Sequence, residues 1–452
     1  MKECIIIGAG FSGLAAALAL KSSGVDDFLV LEARDRVGGR TKPGKLAGLD
    51  IDLGGMWLSP SQARLQHFAD KYHIKTYPNF LDGDGVFELG GKRIRGKREN
   101  FDRLFGLLQG LDYLNSRRQL DKLIAQIDCD APWDHPKAKE LDSTTLEQWL
   151  LRTLHSEQLR AVYRLVCYSV FCAEADEVSL LFFLHYLKSG DGFDRITSAD
   201  DGGAQNFLFY GGLHQIATNM AEEVATQVLL EHPVDKVEWQ ANSVRLHCGE
   251  RTFETKQVIF ALPPTLIADI EFDPALPPQK QALHQRLVMG SAIKFWIAYD
   301  KPFWRDQGLN GLIVTDTSPA NPIMDVSPPD QSLGILAGFF DGAHAIAHSG
   351  LRSEQRKEIV LNTVTKYFGE QATNPIDYQD IDWIKEPWSN GCYGAYAPPG
   401  TYSRYGQWLR EPIGPLHWAG TETSPRWTGY VDGAIRSGER AAAEVLNQVT
   451  KG

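Results

Sequence analysis

The spacing of apolar positions changes several times along the chain, and each change predicts a different element. Residues 3–7 form a short run rich in β-branched side chains, as expected of a buried parallel strand. Gly8-Ala9-Gly10-Phe11-Ser12-Gly13 follows at once, and the Ala/Leu-rich stretch 14–20 predicts a helix. A second strand is predicted over 28–31, ending on Glu32, which completes a β-α-β unit. Residues 49–53 alternate apolar and polar and then reach Gly54-Gly55. From about 100 to 190 the period becomes helical. Phe101, Leu104, Phe105 and Leu108 share one face there, and Thr144-x-x-Glu147 reads as a capping box opening another helix. After Gly211-Gly212 the pattern predicts a helix over 214–226 and short strands over 228–231, 234–239, 244–248 and 257–261, closed by Pro263-Pro264. Further strands are predicted over 292–300, 333–340 and 416–419, and a last helix over 431–447.

A chain of 452 residues is too long for one ordinary core and suits two or three lobes. Its 43% hydrophobic and 23% charged residues are the balance of a globular protein. The net charge of -11 argues against a nucleic-acid partner, which needs a basic stripe, and suits cationic substrates. Cys4, Cys129, Cys167, Cys172, Cys248 and Cys392 are scattered, without a CxxC pair or a Cys/His cluster. No metal site and no disulfide framework is therefore expected, and a reducing, cytoplasmic setting fits. No signal peptide and no apolar run of about 18 residues is visible, so no membrane span is expected.

Gly8, Gly10 and Gly13 make a GxGxxG turn between strand and helix. The three glycines serve the tight turn, the approach to a pyrophosphate and helix–strand packing respectively. Glu32 stands where a ribose hydroxyl is held. This motif does not choose between NAD and FAD. The next stretch, Glu32-Ala33-Arg34-Asp35-Arg36-Val37-Gly38-Gly39-Arg40, adds a second glycine turn and cationic side chains. It resembles the signature of the glutathione-reductase-type FAD fold in its amine oxidase branch. The resemblance spans nearly the whole chain. It includes residues 52–57, Val234, residues 418–423 and residues 427–434, and within the family it leans toward the monoamine oxidases.

The resemblance implies a mixed α/β fold: a Rossmann-like FAD domain from 1–77, 209–283 and 386–452, and a substrate domain of mixed sheet and helices from 78–208 and 284–385. FAD would be held by Gly8, Gly10, Gly13, Glu32, Arg34, Gly39, Arg40, Gly55, Met56, Trp57, Val234, Trp388, Gly420, Thr421, Glu422, Tyr430 and Val431. Cys392, in Ser389-Asn390-Gly391-Cys392-Tyr393, matches the cysteine that carries the flavin covalently in monoamine oxidases. Gly394 and Ala395 beside it are smaller than the family's residues. Tyr393 and Tyr430 match the two rings that flank the substrate amine, an arrangement suited to attracting it between two π faces. Lys294, placed in an apolar strand, matches the lysine that holds a water at the flavin; the alternative is an outward-facing strand position. Phe171, Thr197, Gln205 and Ile323, with Ser169, fall where substrate-cavity walls lie. Ser169 and Thr197 are more polar than the residues usual there. The helix from Val431 would turn its positive end to the flavin.

The implied activity is oxidative deamination of a primary amine to aldehyde and ammonia, with O2 as acceptor and hydrogen peroxide as product. A homodimer is common in the family. The alternatives are a polyamine oxidase, an amino-acid oxidase or desaturase, or a non-catalytic FAD-binding interaction protein. A polyamine enzyme would use acidic residues such as Asp82 and Asp84 near the entrance, whereas no arginine is assignable to an amino-acid carboxylate.

Overall fold

A computed structural model describes residues 1–97, 106–200 and 202–449, with Val449 described by its backbone alone. At its centre lies the strand Lys2–Ile7, paired in parallel with Phe28–Leu31 on one side and Arg251–Phe260 on the other. Cys4 to Ile7 are at most 4% exposed, as an apolar run covered on both faces requires. Val228–Leu229 extends this sheet beyond Phe28–Leu31, and Leu416–Trp418 pairs in parallel with the end of Arg251–Phe260. Ser243–Cys248, Lys236–Gln240 and Glu271–Asp273 complete the other side.

The helix Phe11–Ser22 crosses this sheet and packs on the closing helix Val431–Val449. The crossing depends on glycine. A Cβ on Gly13 would lie 1.8 Å from the Gly8 carbonyl oxygen, and one on Gly438 would lie 1.9 Å from that of Ser12. Ser12 Oγ accepts from the Gly420 N–H at 2.9 Å and meets Ser437 Oγ at 2.9 Å. Three segments far apart in sequence are thereby fixed at one point.

A second sheet of seven strands has the order Asp377–Asp382, Ala292–Tyr299, Gly334–Asp341, Ile323–Asp325, Leu309–Thr315, Asp84–Leu89, Lys92–Gly96. Its second and third strands, Ala292–Tyr299 and Gly334–Asp341, pair antiparallel and are buried at every position. The helices between Leu107 and Ile196 form the remaining wall.

The capping box predicted at Thr144 lies one residue later. Thr145 Oγ1 accepts from the Gln148 N–H at 3.0 Å and the Gln148 side chain returns to the Thr145 N–H. Thr144 instead bonds the Glu140 carbonyl, and Glu147 is taken by Arg164. In the region predicted helical from about 100 to 190, the first helix among the described residues is Leu107–Ala125. Leu108 on it is 81% exposed rather than buried, while Phe101, Leu104 and Phe105 lie outside the described residues. The helix predicted over 214–226 ends at Glu222, and the strand predicted over 257–261 begins six residues earlier, at Arg251. All six cysteines are free, and among the described residues no helix is long and apolar enough to cross a membrane.

Candidate active site

The edges of the two sheets and the helical wall enclose one continuous cavity of about 1310 Å³. Small-molecule pockets are typically about 300–1,000 Å³, so this one has room for a dinucleotide and a substrate together. Gly8, Gly10, Glu32, Arg34, Gly39, Arg40, Val234, Gly420 and Thr421 line one end. The Glu32 carboxylate accepts from the Ala9 N–H at 2.7 Å and the Arg34 N–H at 2.9 Å. Arg34 Nη2 donates to Ser389 Oγ at 2.7 Å and to the Pro387 carbonyl at 2.9 Å, which leaves its buried Nε without a partner. A Cβ on Gly39 would come within 3.3 Å of Gly10 Cα, so a side chain at either glycine would fill the gap between the two turns.

The residues fit FAD on these observations: a glycine-lined cradle, an orphaned guanidinium nitrogen on its wall, and a second orphaned donor, Trp57 Nε1, further along the same cavity. Gly13 and Glu422 do not line the cavity. Gly13 supports the turn from beneath. Glu422 accepts the Arg40 fork at 2.6 and 3.2 Å and the Ala395 N–H at 3.2 Å, and so holds Arg40 from behind. The other Arg40 contact is the Tyr393 carbonyl at 2.9 Å.

Lys294 faces inward. It is 2% exposed, and its Nζ donates to the Gly54 carbonyl at 2.6 Å, the Asp52 carbonyl at 3.1 Å and Met56 Sδ at 2.8 Å. Burial pulls its pKa down to about 7, against the smaller opposing pull of Asp52 and Cys392. Cys392 is 5% exposed and lines the cavity, and burial pushes its thiol up to about 12. Tyr393 meets Phe339 edge-on at 5.6 Å, and Tyr430 rests on Trp427 at 4.8 Å and Tyr186 at 5.9 Å. Thr421 Oγ1 donates to the Tyr430 carbonyl at 2.7 Å, tying that ring to the closing motif.

Met56, Trp57, Gly55, Val431, Trp388, Ser169, Thr197 and Gln205 also line the cavity. Thr197 Oγ1 donates to the Phe193 carbonyl at 2.9 Å, and Gln205 Nε2 to the Ile196 carbonyl at 3.3 Å. Phe171 and Ile323 are not on the wall. Val162, Val166, Ser169 and Val170 take that face of the helix Glu157–Phe171, whereas Phe171 turns into the core against Tyr186 at 4.6 Å. On the strand Ile323–Asp325, Met324 faces the cavity and Ile323, by alternation, faces away. Of the two entrance carboxylates, Asp82 lines the cavity, while Asp84 pairs with Arg95 at 3.3 Å.

Some contributors went unnoticed in the sequence. Asp52, 5% exposed, accepts from the Leu213 and His214 N–H groups and so joins the Lys294 floor to the next helix. Asp432 caps the helix Ala63–Lys71 through the Arg64 and Leu65 N–H groups. Phe339 and Tyr186 buttress the two tyrosines. Acidic residues adjoining glycine motifs, Asp52 before Gly54-Gly55 and Asp432 between Gly429 and Gly433, are the sequence signal for the first two; the aromatic walls have none. Among the described residues no group of His, Cys, Asp and Glu could hold a metal ion.

Comparison with known proteins gives the family. The family model described as flavin containing amine oxidoreductase matches residues 11–446. Amine oxidase [flavin-containing] A of Equus caballus is 36% identical over 458 residues, covering 100% of this chain and 86% of the horse protein. The solved structure of cyclohexylamine oxidase from Brevibacterium oxydans IH-35A superposes with a TM-score of 0.94 at 32% identity, over 99% of both chains. Putrescine oxidase bound to putrescine superposes with a TM-score of 0.93, also at 32% identity and 99% coverage of both. With a family match over most of its length and relatives of this identity, the chain belongs to the flavin-containing amine oxidoreductases and is an FAD-dependent amine oxidase.

Proposed function

We propose that this amine oxidase deaminates a primary amine, consuming O2 and water and yielding an aldehyde, ammonia and hydrogen peroxide. The observation that carries this reading is the convergence of Tyr393, Tyr430 and Lys294, from three separate segments, on one cavity. FAD, when bound, supplies the redox chemistry. The tyrosine rings orient the amine, and the surrounding apolar wall excludes water. Lys294, held through its Nζ by the Asp52 and Gly54 carbonyls and Met56 Sδ, stands on the cavity wall where it would orient a water beside the flavin.

Against an amino-acid substrate, both arginines on the cavity wall are engaged, Arg34 with Ser389 and Arg40 with Glu422. A diamine is the second reading, because the Asp82 carboxylate lines the cavity. We further propose that Phe171 and Ile323 act only as packing behind the wall. The flavin would be carried by Cys392, whose buried thiol lies on the cavity wall. The FAD-binding unit would comprise 1–77, 209–283 and 386–452, and the substrate unit 78–208 and 284–385. Six free cysteines support a cytoplasmic setting, and a homodimer is the assembly we attach to the holoenzyme, tested by light scattering.

Two experiments test this reading. Acid precipitation should leave the yellow colour with the wild-type protein and release it from Cys392→Ala; colour released from the wild type refutes the covalent link. Peroxide release over a panel of monoamines, diamines and amino acids should favour primary monoamines; preference for diamines moves the assignment to the second reading.

A further inference from the structure

One polar side chain on the cavity wall has no role in the account so far. Asn310 lies on the strand Leu309–Thr315 and is 8% exposed. Asn310, Leu312 and Val314 line the cavity while Leu309 and Ile313 turn to the core, so the alternation of the strand presents Asn310 inward. Its amide has a fixed sense. Oδ1 accepts from the Leu312 N–H at 3.0 Å, and because a backbone N–H only donates, the atom facing it is the oxygen. Nδ2 then has no hydrogen-bond partner among the described residues. Buried amides are nearly always satisfied, so a donor left open on a cavity wall calls for an explanation. The backbone is shaped to put it there. Leu309 pairs with Asp84 and Ile313 with Val86, so four steps along one strand match two along the other. The bulge closes as an Asx turn over Gly311, at φ +80°. A Cβ on Gly311 would lie 2.5 Å from Asp325 Cβ, so the turn admits glycine alone.

Strand register sets its distance from the amine cage. Lys294 pairs with Phe339, and Ile323 pairs with both Gly338 and Ile313. Pro322 therefore stands beside Phe339, and Val314 beside Pro322. All of Lys294, Phe339, Pro322 and Val314 line the cavity, and Tyr393 packs edge-on against Phe339 at its inner end. Val314 is two strands from Phe339, about 10 Å, and Asn310 is four residues further along, at most about 13 Å. Asn310 thus stands roughly 10–16 Å from Phe339, depending on how far the bulge shortens the strand. The wall between them is apolar, built from Pro322, Met324, Leu312 and Val314 with Val162 and Val166. Asp82 and Lys97 line the Asn310 end, where the Asp84 N–H donates to the Gly308 carbonyl at 3.0 Å and Gly85 pairs with Gly96. Their opposite charges leave that end without a net demand for an ion.

We propose that Asn310 is a specificity-determining residue: its Nδ2 donates to an uncharged acceptor oxygen, an ether or an amide carbonyl, at the far end of an extended primary amine. The apolar stretch covers the chain between the two ends. At about 1.2 Å per bond of an extended chain, that oxygen stands roughly eight to twelve bonds from the amine nitrogen. A plain alkyl chain of the same length would cover Nδ2 without pairing it and so bind less well. The inference rests on the primary-amine reading, with Tyr393 marking the amine end.

The test is peroxide release by the holoenzyme with ω-methoxyalkylamines, whose ether oxygen accepts but cannot donate, against n-alkylamines of equal length. In the wild type the kcat/KM ratio of ether to alkane should be near or below one for chains of roughly two to five bonds, which do not reach Asn310. It should rise to about threefold to tenfold at roughly eight to twelve bonds, the weight of one net hydrogen bond. Asn310→Asp keeps an oxygen for the Leu312 N–H, and the bulge with it, but exchanges the open donor for an acceptor. The long-chain ratio should then fall below one, and Asn310→Leu should lower it likewise; a ratio within one variant cancels any general loss of activity. Where Asn310→Leu fails to retain flavin, Asn310→Asp decides alone. Short amines oxidised with no preference for the ether at any length, or a long-chain preference that survives in Asn310→Asp, overturns the inference alone. Peroxide from none of these amines overturns the primary-amine reading and the inference with it.

Discussion

Replacing Lys294 with methionine should change how stability depends on pH. In the folded protein burial lowers the Lys294 pKa from 10.5 to about 7. The difference corresponds to about 5 kcal/mol of disfavoured charge at 1.36 kcal/mol per pH unit. Below pH 7 the lysine is charged in both folded and unfolded chains, so the full cost is present and does not vary with pH. Between pH 7 and 10.5 the unfolded chain binds a proton that the folded chain lacks, so stability rises with pH. The linkage relation gives a gain of about 1 kcal/mol from pH 7 to 8 and about 2 kcal/mol by pH 9. Lys294→Met has no such gain, and leaves the Asp52 and Gly54 carbonyls without their donor, at roughly 1–3 kcal/mol each. Urea unfolding of both proteins at pH 6, 7, 8 and 9, at equal flavin content, isolates this group because the other titrations cancel. The stability difference in favour of wild type should be flat from pH 6 to just below 7 and then grow by those amounts. A difference that stays constant, or shrinks, from pH 7 to 9 would show that Lys294 is charged in the folded protein and would refute the reasoning.

Other perturbations have equally direct outcomes. Gly13→Val puts a Cβ 1.8 Å from the Gly8 carbonyl oxygen and should abolish flavin retention; a yellow, normally folded variant contradicts the packing argument. Arg40→Met leaves Glu422 buried and unpaired, a loss of about 3–5 kcal/mol that should appear as a clear drop in Tm, partly recovered by adding Glu422→Gln. Ser169→Leu adds apolar bulk to the cavity wall and should shift the kcat/KM ratio between an apolar and a hydroxylated amine by about tenfold; an unchanged ratio removes Ser169 from the substrate wall.

What the sequence revealed and what it hid follow one physical rule. Glycine motifs were legible because close approach of two backbones admits no other residue, as Gly13 under Gly8 demonstrates. The strand 3–7 was legible because an uninterrupted β-branched run has no other stable placement. Lys294 could be read as inward or outward from alternation alone, and only its three acceptors decide for inward. The side of an element was hidden where apolar residues are contiguous. Phe171 and Ile323 sit next to true wall residues but face the core, because one residue's shift rotates a side chain by about 100° on a helix or to the opposite face of a strand. The strands Asp84–Leu89 and Leu309–Thr315, with their glycines, gave no clear period, and their pairing is set by contacts far apart in sequence.

The most direct test of the account is anaerobic mixing of the purified holoenzyme with primary amines while the flavin absorbance is recorded, followed by admission of air and assay of peroxide. The account predicts bleaching by a primary amine, recovery of the yellow form in air and one peroxide per amine oxidised. A flavin that dithionite bleaches but no amine reduces would contradict it.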